Sequence, residues 1–413
     1  MRQSRLFTKA RREAPSDEVA KNAQLLVRAG YIHKEMAGVY SYLPLGLRVL
    51  TKIENIIREE MDAIGGQEIR MATLHPSEPW KQTGGWEAVD VLFKIQSRAE
   101  KEYALGQSEE EVVTPIAREY IESYKDLPVA IYQIGQKYRD ELRAKSGVMR
   151  GREFGMKDMY SFHETQEDFE RFYEEVKAAY FRAYTRCGLV AKATEASGGS
   201  FSEKISYEFM VLTDAGEDDI VYCENCDFCT NVEVATARAG GTCPKCSGVL
   251  QAARASEVGN VFDLGQRYPK AFDFTYKNKE GNNQYPVMGC YGWGTSRLVG
   301  VIVEKMADDK GLVWPASVAP FAVHLVSLGR PGDEISKAAD ELYAALSKSD
   351  IDTLYDDRDM SAGSKFAESD LLGIPARIVV GKDAVATGQF EVVDRASGEV
   401  IKKLREEIVR AYA

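Results

Sequence analysis

Tyr138-Arg-Asp-Glu141, a short basic loop, and then Arg150-Gly-Arg-Glu-Phe-Gly-Met-Lys-Asp-Met-Tyr-Ser-Phe162 decide how this 413-residue chain is read. The first word reads as a strand with Arg139 and Glu141 two residues apart, hence on one face. The second reads as another strand, carrying Glu153, Phe154 and Asp158, after an Arg-rich turn. An arginine stays charged and offers a planar fork of donors. The pattern suits a grip on a nucleoside triphosphate that needs no glycine-rich phosphate loop. In this reading Arg139 touches the α-phosphate together with an attacking carboxylate, so that it orients both and offsets charge as it develops. Glu141 accepts from an adenine amino group. Arg150 takes the outer phosphate, with Arg152 beside it, and Phe154 stacks under the base.

Far downstream, Gly289-Cys-Tyr-Gly-Trp-Gly-Thr-Ser-Arg297 supplies a second element. Closely spaced glycines let backbone approach a ligand at a strand-to-helix turn. Arg297, in the first turn of the helix that follows, is placed to reach the γ-phosphate from the opposite side.

Composition bounds the rest. The 64 acidic and 53 basic residues leave a net charge of −11, which speaks against a protein that coats nucleic acid but not against one local RNA-binding face. Hydrophobic residues make up 44%, enough for a sizeable core, and no apolar run nears the roughly 20 residues a membrane helix needs. The amino terminus has no secretory pattern, so the cytoplasm is expected. Five of the seven cysteines fall between Cys223 and Cys246. Cys223-x₂-Cys226 and Cys243-x₂-Cys246 have the spacing of a zinc ribbon, with Cys229 a spare or alternative ligand. Four thiolates leave no open position, so the zinc is expected to be structural.

Along the chain, Ser16 and Asp17 suit a helix cap and Gly30 a stop. Gly38 to Gly46 reads as a structured turn. Val49, Ile53, Ile56, Ile57, Met61 and Ile64 recur at helical spacing up to Gly65-Gly66, and a strand from Gln67 to Met71 follows. A second amphipathic helix runs from about Gln166 to Cys187. An irregular region begins at Gly198-Gly199. After Pro315–Pro320 strands and helices alternate, including a helix from Lys402 to Tyr412, which implies a small α/β domain with a mostly parallel sheet.

Together these words resemble the prolyl-tRNA synthetase family of class II aminoacyl-tRNA synthetases. Residues 138–141 and 150–162 match its motif 2, and Gly289–Arg297 its motif 3. Leu105-Gly-Gln-Ser-Glu-Glu-Glu-Val112 resembles its Thr-His-Glu-Glu loop. Asp356-Asp-Arg358, Gly363-Ser-Lys-Phe366 and Gly373-Ile-Pro375 resemble its anticodon-binding domain. The resemblance implies an α+β catalytic domain, an antiparallel sheet flanked by helices, over residues 1–318. A zinc ribbon at 220–250 stands in place of an editing domain, and an α/β anticodon-binding domain covers 319–413. It implies a homodimeric ligase that uses ATP and Mg²⁺ to activate L-proline and charge tRNA(Pro), with Arg139, Glu141 and Arg297 catalytic. Ser108 and Glu110 would bind the prolyl ammonium. Asp158, Tyr160, His163, Phe262 and Cys290 would wall the proline pocket, and Glu257 and Asn260 would approach ATP or its metal. Arg358, Lys365 and Phe366 are candidates for anticodon contacts, by charge and by stacking.

Three departures stand out. Gln107-Ser108-Glu109 replaces the family's Pro-Thr-His. Serine keeps the hydroxyl, while the extra carboxylate at Glu109 is expected to bear on contacts to the CCA end. Ala72 replaces a motif 1 proline. The long editing insertion is missing, so mischarged alanine would need a separate hydrolase. The rival readings are a sibling ligase for threonine or serine and a non-catalytic paralogue acting as an RNA-binding or regulatory module. Clustering of the cysteines away from the motifs argues against the first. Retention of Arg139, Glu141, Phe154 and Arg297 argues against the second.

Overall fold

The computed structural model describes residues 1–144, 146–197 and 205–413, with Ile205 described by its backbone alone. Gly198-Gly199 lie outside the described residues. Backbone contacts gather the chain into two units, one of Ala37–Val39 and Ile53–Val301, the other of Met1–Met36, Tyr40–Lys52 and Ile302–Ala413. These divisions fall elsewhere than the expected 318/319 boundary.

The first unit is built on strands β1 (Gln67–Glu68), β2 (Val129–Tyr138), β3 (Glu153–His163), β4 (Lys192–Ser197), β5 (Ile205–Leu212), β6 (Asp218–Cys223), β7 (Cys229–Asn231), β8 (Leu250–Gly265) and β9 (Val287–Gly294). They form one sheet in the order β5-β4-β7-β6-β8-β9-β3-β2-β1. Helix α1 (Glu110–Tyr120) precedes β2, α2 (Gln166–Arg186) follows β3, and α3 (Thr295–Met306) follows β9. The central pairs β8–β9, β9–β3 and β3–β2 are antiparallel. At the far end β5 also pairs with β8, so five strands close into a ring.

Period-two alternation sorts β3 into two faces. One carries Phe154, Met156, Asp158, Tyr160 and Phe162. The other carries Lys157, Met159, Ser161 and His163. The second face packs on α2, whose Phe169, Phe172, Tyr173, Val176 and Tyr180 are buried. Thr165 starts α2, its hydroxyl accepting from the Asp168 N–H at 3.1 Å. Register aligns residues across the first face. Gln133, Asp158, Gly292 and Asn260 form one cross-strand row, and Ile131, Tyr160, Cys290 and Phe262 the next.

In the second unit β10 (Val323–Ser327), β11 (Thr353–Asp356), β12 (Ala376–Val380), β13 (Gln389–Asp394) and β14 (Val400–Leu404) form a sheet in the order β11-β10-β12-β13-β14. Only β11-β10-β12 are parallel; β13 and β14 join as an antiparallel hairpin. The sheet is therefore mixed, not mostly parallel. Residues 400–404, expected in part as helix, are strand because they complete that hairpin, and the last helix is confined to Arg405–Tyr412. Helices α4 (Glu334–Lys348) and α5 (Ala362–Leu372) flank the sheet, and Val323, Leu325, Leu342, Leu346 and Ile378 form its core. The first helix begins at Lys21, not at Ser16. Asp17 is engaged with Lys34 at 2.9 Å, and a distant carboxylate, Glu304, accepts from the Asn22 N–H at 2.8 Å in the helix's first turn.

His324 on β10 is fully buried between the Ser369 hydroxyl, 2.8 Å away, and the Gln3 side-chain oxygen at 2.9 Å. Burial pushes its pKa down to about 4. The fold therefore favours the neutral ring. That preference is fully present above the ordinary histidine pKa and is lost as pH falls toward 4. Urea unfolding at a series of pH values is expected to show a fall of about 3 kcal/mol over that window, which His324→Gln flattens.

Candidate active site

Strand β2 ends at Tyr138, so Arg139 and Glu141 lie just beyond it and not on a strand. The Arg139 N–H still donates to the Arg152 carbonyl at 2.9 Å, one step past the ladder. Then the Glu141 N–H bonds back to the Arg139 carbonyl at 2.8 Å, and the chain turns away. Arg139 is half-buried, its guanidinium carbon 5.2 Å from the Phe154 ring centroid. Among the described residues its Nε has no hydrogen-bond partner. Burial, and then the nearby Arg297, lower its pKa.

Arg297 reaches the same cleft from α3. Its Nε donates to the Met149 carbonyl at 2.8 Å, and its Nη1 donates to the Glu257 carbonyl at 2.6 Å and Glu257 Oε2 at 3.2 Å. Glu257 Oε1 accepts from Asn260 Nδ2 at 2.8 Å, while Asn260 Oδ1 accepts from the Gly292 N–H at 3.2 Å. Arg139, Glu141, Arg150, Phe154, Glu257, Asn260 and Arg297 all line this one cleft. Gly289 to Gly294 prove to be strand, not turn. Gly292 is needed for space, because a Cβ there would lie 2.6 Å from Asn260 Oδ1.

Two arginines differ from expectation. Arg150 is paired with Glu141 at 2.9 Å and Glu217 at 2.5 Å, so Glu141 meets a guanidinium before any base. Arg152 does not line the cleft; it donates to the Glu141 carbonyl at 3.0 Å and the Ala37 carbonyl at 2.8 Å, bracing backbone. Carboxylates crowd nearby. Burial and then Glu257 raise Asp218 to about 6 and Glu208 to about 8.

Beside the cleft lies a buried carboxylate. Glu110 is fully enclosed at the start of α1. Its Oε1 accepts from the Cys290 thiol at 3.1 Å, and its Oε2 has no hydrogen-bond partner among the described residues. Burial raises its pKa, against the pull of Ser108 and Cys290. Ser108 is itself buried and accepts from Gln107 Nε2 at 2.8 Å. Tyr160, Phe262 and Cys290 share one apolar cluster, and Asp158 sits one row away on the same sheet face.

His163 is not brought to this group. Two-residue alternation puts it on the α2 face, where Nδ1 contacts Asp168 at 2.7 Å, Nε2 contacts Ser161 at 2.9 Å, and Phe169 and Phe172 pack on the ring. Glu109 is 1% exposed and bound inside the protein, so it is not available to an incoming CCA end. Lys137, which contacts both Glu109 and Asp158, escaped the sequence reading. Counting by twos from Gln133 through Gly135 places it on the site face.

In the second unit Lys365 is fully buried, its ammonium donating to the Ser327 carbonyl at 2.6 Å and the Asp356 carbonyl at 3.3 Å. That ammonium is not presented to a ligand. Arg358 is spent on Asp356 at 2.8 Å and Glu368 at 3.0 Å. Phe366 is half-buried beneath Arg377, whose guanidinium carbon stands 4.9 Å from the ring centroid.

The sulfurs of Cys223, Cys226, Cys243 and Cys246 all lie within 4.8 Å of one another. The Asn225 and Lys245 N–H groups point at the Cys223 and Cys243 sulfurs, each at 3.4 Å. Cys229 is apart, in the core of the strand ring beside Thr194 at 3.1 Å.

Residues 93–306 match the tRNA synthetase class II core domain family (G, H, P, S and T), and residues 320–411 match the anticodon binding domain family. The fold and the site therefore define a class II aminoacyl-tRNA synthetase. Proline--tRNA ligase of Geobacillus sp. (strain WCH70) is 34% identical over 559 aligned positions, covering 99% of this chain and 98% of that one. The enzyme of the same name from Syntrophus aciditrophicus (strain SB) is 32% identical, covering 97% and 95%. A solved structure of prolyl-tRNA synthetase from Cryptosporidium parvum, complexed with L-proline and AMP, superposes with a TM-score of 0.77 at 18% identity, covering 95% of this chain and 75% of its own. The chain belongs to the proline--tRNA ligase family. The alignment to the Geobacillus relative is longer than the 413 residues here, so that relative holds segments with no counterpart in this chain.

Proposed function

We propose that this chain activates L-proline with ATP to prolyl-adenylate and transfers the prolyl group to the terminal adenosine of tRNA(Pro), releasing AMP and pyrophosphate. One observation carries the reading. Arg139, with an Nε that has no partner among the described residues, and Arg297 line one cleft, and Glu110 at the start of α1 accepts from Cys290 one row along the sheet from the cleft's Gly292 while its other oxygen has no described partner. Adenylate formation joins a carboxylate to the α-phosphate and expels pyrophosphate. Two anions must approach each other, and the step needs orientation and cationic surroundings more than a protein nucleophile. Arg139 meets both reacting groups, with Phe154 beneath the base, and Arg297 takes the outer phosphate. Glu141 and Arg150 act as a pair, so that base and phosphate contacts are set together.

Glu257, crowded by Asp218 and Glu208, would share in holding the Mg²⁺ that accompanies ATP, which when bound would offset phosphate charge. Glu110 meets the prolyl ammonium, with Ser108 beside it. Asp158, Tyr160, Phe262 and Cys290 shape the pocket. Residues 1–318 carry this chemistry and residues 319–413 read the tRNA, with Phe366 at its margin. The enzyme works as a homodimer in the cytoplasm. Among the described residues no helix is long and apolar enough to cross a membrane. The interval between β3 and β9 is taken up by α2, the strand ring and the cysteine knuckles, which supports the reading that proofreading is left to a separate hydrolase.

The four clustered cysteines fit a tetrahedral zinc, closed and structural. Metal analysis is expected to find one zinc per chain. Chelation, or Cys243→Ser, is expected to lower the melting temperature by several degrees and open residues 223–246 to protease; indifference to both would remove the metal.

ATP–pyrophosphate exchange tests the activity directly. Exchange is expected with proline and not with threonine or without amino acid. Arg139→Ala is expected to cost at least about a thousandfold in that exchange with the melting curve unmoved. Near-normal exchange in the variant would refute the role given to Arg139.

A further inference from the structure

Glu109, Glu110 and Glu111 are all buried, at 1%, 0% and 3% exposure, and each turns to different partners. Glu111 Oε1 accepts from the Thr83 hydroxyl at 2.8 Å. Glu110 keeps one oxygen free. Glu109 is held from both its side chain and its backbone. Its Oε1 accepts from Lys137 Nζ at 2.7 Å, and Lys137 Nζ stands 3.0 Å from Asp158 Oδ1. Asp158 Oδ2 accepts from the Tyr160 hydroxyl at 3.1 Å, and that hydroxyl accepts from the Glu109 N–H at 2.8 Å. The links close into a ring that begins and ends on residue 109.

The other Glu109 oxygen, Oε2, lies 2.7 Å from His75 Nε2. An indole N–H only donates. Trp80 Nε1 is 3.2 Å from His75 Nδ1, so Nδ1 accepts and the proton resides on Nε2. There it faces the Ala72 carbonyl at 2.9 Å, with Glu109 Oε2 beside it. Lys137 stands between the carboxylates of Glu109 and Asp158. Burial works against the Lys137 ammonium, yet Asp158 and Glu109 outweigh it and raise its pKa.

Glu109 is the residue just before α1, and Glu110 is the first of the helix. With residue 109 tied at backbone and side chain, the peptide entering Glu110 is not free to turn. We propose that Glu109 is a positioning residue for amine recognition: the ring through Lys137, Asp158 and Tyr160 fixes the Glu110 carboxylate where the substrate's ammonium must meet it. This rests on the reading that Glu110 takes the prolyl amine, and it gives the buried Glu109 a role of its own.

Glu109→Gln keeps the shape but sets an amide NH₂ against either the Lys137 ammonium or the His75 Nε2–H, donor against donor, so one link opens. In exchange assays its KM for proline is expected to rise about tenfold, with kcat and the KM for ATP within about twofold and the melting curve unmoved. Tyr160→Phe breaks the ring at the other side without touching a charge and is expected to raise the same KM. Because one open link already frees residue 109, the double variant is expected to be little worse than Glu109→Gln alone. An unchanged proline KM in Glu109→Gln overturns the proposal. So does a parallel rise of both KM values with a lowered melting temperature, and so do multiplying effects in the double variant. Glu110→Gln separates the two failures. An unchanged proline KM there removes the reading beneath the proposal. A large loss there beside a normal Glu109→Gln removes the positioning role alone.

Discussion

A guanidinium and a carboxylate, each short of a partner, are held at one face of the central sheet. Arg139 leaves Nε unbonded and Glu110 leaves Oε2 unbonded. Buried groups in that state cost free energy of order 1–3 kcal/mol or more, since water has been removed and nothing replaces it. The surrounding fold has to hold them there. β3 places Phe154 under Arg139 and Asp158 and Tyr160 two and three rows further along, so nucleotide and amino-acid ends of the site are fixed by one strand's pleat. Everything proposed for the reaction depends on that register. A slip of one residue would send Asp158 and Tyr160 to α2 and bring Lys157 and Ser161 into the site.

Two buried lysines show how differently the two faces are charged. Lys137, on the site face, stands between Glu109 and Asp158, and these carboxylates raise its pKa against its burial. Lys157, on the opposite face of the neighbouring strand, donates to the Tyr180 hydroxyl at 2.6 Å and the Tyr291 carbonyl at 2.9 Å. Burial takes it down to about 7. The lysine at the front of the sheet is therefore held charged by its carboxylates, while the one at the back donates to no carboxylate among the described residues. A charged substrate belongs in front. An aromatic layer of Tyr180, Tyr184 and Trp293 belongs behind, where it packs α2 to the sheet.

The class of fold was legible because its chemistry sits in short local words. Phe154 could be placed from residue type and strand period and the paired cysteine knuckles from their spacing, whereas Arg139, just past β2, and Arg297, on α3, were reached through the motif words around them. What was lost depended on distant partners. Nothing in Asp356 or Glu368 as letters says that they will consume Arg358, and Lys365 reads as a surface charge until the carbonyls of Ser327 and Asp356 are seen around it. Glu109 was expected to bear on the CCA end for the same reason, its partners His75 and Lys137 lying 34 and 28 residues away. His163 is a different failure. The period-two rule was available and would have separated it from Asp158 and Tyr160. The strand at 400–404 was missed because its identity comes from pairing with β13 and not from its own residues.

The walls proposed for the amino-acid pocket limit what selection they can perform. Tyr160, Cys290 and Phe262 are locked by backbone ladders on both sides of β9 and share a packed cluster. Such walls reject a larger side chain, because a dense core has no room to give. They do little against a smaller one. An amino acid that keeps the amine and carboxylate but lacks part of the ring still meets Glu110 and Arg139 and forgoes only apolar contact, about 1–3 kcal/mol. Fixing the amine contact through Glu109 sharpens recognition of the group every amino acid shares and so cannot raise that limit. On these walls alone, proline is told from alanine by no more than that apolar contact.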